Sequence, residues 1–391
     1  MGLVRALQRS LFLAAAVLAA CEPPAPGAPF TVTDSAGIRI VTVSTGAIPD
    51  TLQASGVPTW SAESITVDEL HYLSGVQVQP VTDGRVVVGE SEGYIWLGDP
   101  VAGAWTAIAR PGDGPREIGR LAAIRFHHGA IWAADAGRDR LLEFGLDGDL
   151  LSERRVSPTD VVTSNWAPGR DAHLFLGSGP GWGASEELIQ RTHAPVVRVS
   201  AERIDTLLEV PNVEWFATDG GMGVPYLNPW GHLTGRDEIL WIGDSAEAEV
   251  VRWSDSITTI VRWTYPSWDA RAVADSLIDA VLAGIPAAQL PPAIEAYIRN
   301  IPLSPEPLKF DGLVLRDDGG VVIGPRWATA GDQVTRPAGA WLAIASDGVP
   351  DYVVILPAGF EPSYFGDDHV LGIFRDEVGR EAVQRRELVA R

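Results

Sequence analysis

The 391-residue chain has one cysteine, Cys21, and one lysine, Lys309. A lone cysteine rules out any disulfide within the chain. Basic residues are few: 30 Lys and Arg stand against 51 Asp and Glu, a formal charge of −21. That balance argues against nucleic acid and anionic lipid surfaces as partners. No apolar run approaches the roughly 20 residues that a membrane-spanning helix needs. Catalytic signatures are missing as well. There is no GxSxG elbow, and Gly177-Ser178-Gly179-Pro180-Gly181 precedes no helix that could cradle phosphate. Seven histidines are scattered through the chain without metal-ligand spacing. His127 and His128 fall in a predicted hairpin turn, where adjacent side chains are expected to diverge. No metal or cofactor is implied.

What is present begins at the N-terminus. Arg5 and Arg9 precede the apolar run Leu11–Ala20, which has the length of a signal-peptide core (residues 1–20). The run ends in Leu18-Ala19-Ala20-Cys21, which resembles a bacterial lipobox. Cys21 is therefore the expected lipidation site, and residues 21–29 (CEPPAPGAP) form a Pro-rich tether. The expected location is the cell envelope of a bacterium, held to the membrane by lipid. Glu22 in place of Asp favours the outer membrane, facing periplasm or exterior. After cleavage at Cys21 the chain keeps 28 basic and 51 acidic residues, a charge of −23.

A repeat fills residues 30–391. A polar turn leads into four or five apolar β-formers and then Gly, Asp or Glu, as in TDGRVVVGE, HHGAIWAAD, DAHLFLGSG, RDEILWIGD, DDGGVVIGP and DDHVLGIFR. Anchors at Arg85, Ala130, His173, Ile239, Val321 and Val370 are spaced by 45, 43, 66, 82 and 49 residues. The period matches propeller blades of about 40–50 residues. The expected fold is all-β, a six-bladed β-propeller with a small helical insertion between blades 4 and 5. That insertion spans about 267–300. Val273, Leu277, Val281 and Leu282 share one face of its first helix, which Gly284 would end. Ile294, Tyr297 and Ile298 are the buried set expected for a second helix after Pro291-Pro292. The last blade lacks a fourth strand. Ile38–Val43 or Ser64–Val67 is expected to supply it and so remove an exposed sheet edge.

The segment ARPGDGPREIGRLAAIRFHHGAIWAADAGRDRLLEFGLDG (109–148) resembles an NHL-type blade pair. Its turn is Gly112-Asp113-Gly114-Pro115-Arg116-Glu117-Ile118, and its strand pair carries Ala134-Asp135-Ala136-Gly137-Arg138-Asp139-Arg140. The chain from Cys21 onward resembles six-bladed (NHL-type or TolB-like) propeller lipoproteins of environmental bacteria. The resemblance implies fold and location and carries no reaction.

Propellers bind through the funnel formed by loops between blades and between second and third strands. On those loops the candidate ligand-binding residues are Arg116, Asp135, Arg138, Trp182, His193, Arg326, Trp327 and Arg375. The alternative for Arg116, Asp135 and Arg140 is that they tie blades together. The expected function is a monomeric binding module for a peptide, glycan or small polar ligand. A second reading is a metal-dependent hydrolase resembling gluconolactonase and regucalcin propellers, with Asn165 and Asn228 as the asparagines on predicted inner strands.

Overall fold

The computed structural model describes residues 28–44, 48, 50–62, 77–156, 166–169, 172–176, 189–200, 203–218, 221–237, 239–264, 269–286, 289–325 and 339–391. Cys21, Asn165, Trp182, Arg326, Trp327 and Ser64–Val67 lie outside them. The described strands are antiparallel meanders. The first runs through Gln77–Pro80, Val86–Gly89, Ile95–Asp99 and Ala104–Pro111, and the second through Leu121–His127, Ala130–Asp135, Arg140–Phe144 and Leu150–Arg155. The third contains Trp166–Ala167, Ala172–Leu176, Ile189–Ser200 and Ile204–Thr218. The fourth contains Gly231–Arg236, Ile239–Asp244, Glu249–Ser254 and Ser256–Trp263. The fifth runs through Phe310–Leu315, Val321–Pro325, Gly339–Ile344 and Pro350–Leu356, and the sixth through Phe360–Phe365, His369–Arg375 and Glu381–Ala390.

These blades pack side by side into a ring, and period-2 alternation explains how. Successive side chains in a strand point to opposite faces. Val87 therefore joins a core with Leu121 and Ile124 of blade 2, while Val86 and Val88 join Leu371 and Val383 of blade 6. Ala134 packs with Trp166 of blade 3, and Val196 of blade 3 with Leu240 of blade 4. Val321 and Ile323 meet Trp241 of blade 4, and Val322 meets Phe365 and Val370 of blade 6. The second strands of blades 1 and 5 are buried on both faces along nearly their whole length, so VVVG and VVIG read as continuous apolar runs. The glycine closing the VVVG, WIG and VVIG runs has a packing cause. A Cβ on Gly243 would lie 2.7 Å from the Phe310 ring, and one on Gly324 2.8 Å from the Trp341 ring.

Ring closure differs in its residues from the sequence expectation. Ile38–Val43 forms a hairpin with Phe30–Ser35 and adds in parallel to Ser256–Trp263 of blade 4. It goes there because Val41 and Val43 are fully buried against Val261 and Trp263. The strand at the last blade is instead Thr51–Ala54. It pairs in parallel with Pro350–Leu356 and antiparallel with Glu381–Ala390, joining blades 5 and 6. Trp60–Ala62 then extends the pairing to Arg385, Gln384 and Val383.

Two helices follow blade 4, Ala270–Gly284 and Pro292–Asn300. The Asp269 carboxylate caps the first by accepting the Ala272 N–H at 3.0 Å. Ala274, Leu277 and Ile278 are its buried residues, and the helix ends at Gly284 as expected, with Ile285 as its C-cap. In the second only Ile298 is buried, whereas Ile294 and Tyr297 are exposed, contrary to expectation. The cause is that this helix docks by one edge, where the Tyr226 hydroxyl donates to the Ile298 carbonyl at 3.2 Å. Among the described residues no helix is long and apolar enough to cross a membrane.

Candidate functional site

Meander topology gives the ring two unlike faces. Tight turns between first and second strands open on one, the hairpin face. Connections between blades and between second and third strands open on the other, the loop face.

On the loop face, Asp135 ends the second strand of blade 2 and is fully buried. Its Oδ1 accepts the N–H groups of Gly119, Arg120 and Gly137, each at 3.1 Å. Its Oδ2 accepts Arg140 Nε at 3.0 Å, and Arg140 Nη1 donates to Glu153 at 3.0 Å. This carboxylate knits the blade 1–2 connection to blade 2, the tying role. Arg116 donates to the Gly148 carbonyl, and Arg138 pairs with Asp113. Arg375 pairs across its hairpin with Glu381. His193 is exposed on the third strand of blade 3, opposite Pro211. The structure thus brings Arg116, Asp135 and Arg138 together at the blade 1–2 connection, and places His193 and Arg375 on other blades. Asn228 does not line the ring axis. It is buried with its Oδ1 accepting the Glu214 N–H at 2.8 Å.

The first strands build a different site. They enclose a central channel of about 400 Å³, lined by Gln77, Gln79, Arg125, His232, Thr234, Asp311, Glu361 and Tyr364 among others. Two glutamines seal its wall. Gln77 Nε2 donates to the Ala122 carbonyl at 2.8 Å while its Oε1 accepts the Ile124 N–H at 3.0 Å. Gln79 Nε2 reaches the Ser363 carbonyl at 3.4 Å. Burial pushes the His232 imidazole down to about 4 and keeps it neutral. It also raises the Tyr364 phenol, with help from a hydrogen bond to Asp317.

Arg125 is the cation of this wall. Its Nη1 donates to the Ile124 carbonyl at 2.8 Å, the one hydrogen bond its guanidinium makes among the described residues. Burial pushes it down to about 10, and no carboxylate offsets that push. Asp311 and Glu361 occupy the second positions of their strands, nearer the loop face; Arg125 is third from last in its own. A guanidinium has five donors. A partly buried cation with most of them unmatched by protein groups is available to a ligand anion.

None of the channel residues was among the sequence candidates. Their signal is the alternation of polar with apolar positions, Gln77-Val78-Gln79 and Ile124-Arg125, in strands whose other face is core.

On the hairpin face the two adjacent histidines converge rather than diverge. His128 adopts a left-handed backbone (φ 49°), which swings its ring beside that of His127, with centroids 3.9 Å apart. Both rings point at Asp237, in the corresponding turn of blade 4.

The chain matches no protein-family model and no curated protein. Among solved structures it is similar to a member of the DUF4221 family from Bacteroides vulgatus, at 8% identity and TM-score 0.50, covering 87% of this chain and 98% of that one. It is also similar to an exported protein from Bacteroides fragilis, at 10% identity and TM-score 0.47, covering 87% and 99%. A third is regucalcin, a calcium-binding protein from Agrobacterium tumefaciens, at 12% identity and TM-score 0.39, covering 88% and 98%. At such identities the likeness concerns fold alone, and the fold is a β-propeller.

Proposed function

We propose that this protein is an extracytoplasmic binding module, lipid-anchored through Cys21, whose central channel holds a small polar anion. The observation that carries the reading is Arg125, a partly buried guanidinium in the channel wall with one hydrogen bond and no carboxylate partner among the described residues. The channel volume, about 400 Å³, falls within the range of small-molecule sites. Asp311 and Glu361 toward the loop face favour hydroxyl or ammonium groups at the far end of the ligand. The ligand class is thus a hydroxylated or aminated carboxylate, with its anionic end on Arg125. Trp182, Arg326 and Trp327 are assigned on sequence grounds to the mouth through which it enters. Location rests on Arg5, Arg9, the Leu11–Ala20 run and the lipobox.

A thermal-shift panel of sugar acids, amino acids and their neutral amides tests this. Several acids should raise the melting temperature by a few degrees, their amides should not, and Arg125→Gln should abolish the response. Equal shifts from acids and amides, or an unchanged response in the variant, would remove Arg125 from the site.

A further inference from the structure

We infer that His127, His128 and Asp237 form a site for a zinc-type divalent cation on the hairpin face, bridging blades 2 and 4. His127 Nε2 lies 3.2 Å from Asp237 Oδ1, and His128 Nε2 lies 3.1 Å from the same oxygen. All three donor atoms fall within 4.8 Å of one another. A tetrahedral ion with bonds of 2.0–2.2 Å places neighbouring ligand atoms about 3.3–3.6 Å apart. The two distances to the carboxylate oxygen are a few tenths of an ångström short of such edges, so small side-chain rotations admit the ion.

A hydrogen-bonded His–Asp–His bridge would have the same distances, and His127 distinguishes the two. Its side chain is nine-tenths buried, and its Nε2 has no hydrogen-bond partner even though the carboxylate oxygen is within reach. Arg236 is a nearby cation that opposes a metal, and its guanidinium lies 3.8 Å from Asp317.

The backbone assembles the ligands from a distance of 109 residues. His128 and Asp237 both occupy left-handed turn positions (φ 49° and 55°), which non-glycine residues seldom adopt. The Asp237 N–H donates to the Pro168 carbonyl at 2.8 Å, fixing the blade 4 turn beside blade 3. Imidazole with carboxylate suits zinc better than calcium, which prefers oxygen ligands alone. Two of the three ligands are about half exposed, which leaves a coordination position open to solvent.

The test is a calorimetric titration of Zn²⁺ into chelator-treated mature protein carrying Cys21→Ser, so that no thiol competes. One ion should bind per chain. His128→Ala and Asp237→Asn replace exposed side chains and should leave the fold intact while weakening binding at least tenfold. Co²⁺ in the same site should give the visible spectrum of a tetrahedral nitrogen–oxygen set. Absence of stoichiometric binding, or undiminished binding in both variants, would overturn the assignment. The zinc titration is read with no channel ligand present, so its failure and the failure of the channel reading are distinguishable.

Discussion

Single residues in this propeller divide by whether their polar groups are satisfied internally. Asp135 is the extreme case, with four donors on one carboxylate. Asp135→Asn keeps the shape but removes the charge that balances Arg140, and urea unfolding should show a loss of about 3 kcal/mol. A change within about 0.5 kcal/mol would mean that Glu153 alone holds Arg140. His173 behaves differently. It is buried beside Trp132, with ring centroids 4.3 Å apart, and its Nδ1 has no partner among the described residues. Burial, then Arg154 and His127, push it down to about 4 from an ordinary 6.5. Between those values the unfolded chain takes up a proton that the folded chain refuses. The contribution of His173 to stability is therefore complete above about pH 6.5 and is lost as pH falls toward 4, on the order of 3 kcal/mol. His173→Phe should flatten that part of the pH–stability profile, measured by denaturation between pH 4 and 7. An unchanged slope would contradict the burial argument. Asp135 and Arg140 were legible in the sequence because ADAGRDR is a local pattern that holds both residues, joined to each other and to Gly137 by local bonds. Arg125 and the His127–His128–Asp237 group were not, because their surroundings come from strands far apart in the chain. The direction of His128 also depends on a backbone angle that its residue type disfavours.

At the scale of elements, alternation and turn chemistry made the strands readable. TDGRVVVGE and DDGGVVIGP each place a turn, a doubly buried strand and a glycine beneath a neighbouring side chain, Leu121 for Gly89 and Trp341 for Gly324. Edge pairing was harder to read. IRIVTV has the composition for either of two open edges, and the choice of blade 4 rests on burial of Val41 and Val43 rather than on local sequence. Arg386 marks the true closure. It is buried, its Nη1 donates to the Ser55 and Gly56 carbonyls at 2.7 and 2.9 Å, and it stacks over Phe360 and Phe374. Arg386→Met keeps most of the stem but leaves both carbonyls without that donor. The expected cost is about 2–4 kcal/mol. Hydrogen exchange should quicken at residues 51–62 and stay slow in blade 2. Uniform acceleration across the ring would show that Arg386 has no special part in closure.

At the scale of the whole molecule, the inner strands of separate blades create what no blade holds alone. Cores between neighbouring blades fix the ring, and the ring encloses Arg125, His232, Asp311 and Glu361 in one channel. The wall is closed laterally by glutamine amides bonded to neighbouring backbones, so it is preformed, and little ordering is needed on binding. The central claim is that an anion completes Arg125 there. A crystal structure of the protein grown with an acid selected from the thermal-shift panel tests it most directly. The account predicts density on the ring axis, with an anionic group within hydrogen-bond distance of the Arg125 guanidinium and its polar end toward Asp311 and Glu361. An acid bound only among the outer loops, with the channel holding nothing but water, would contradict it.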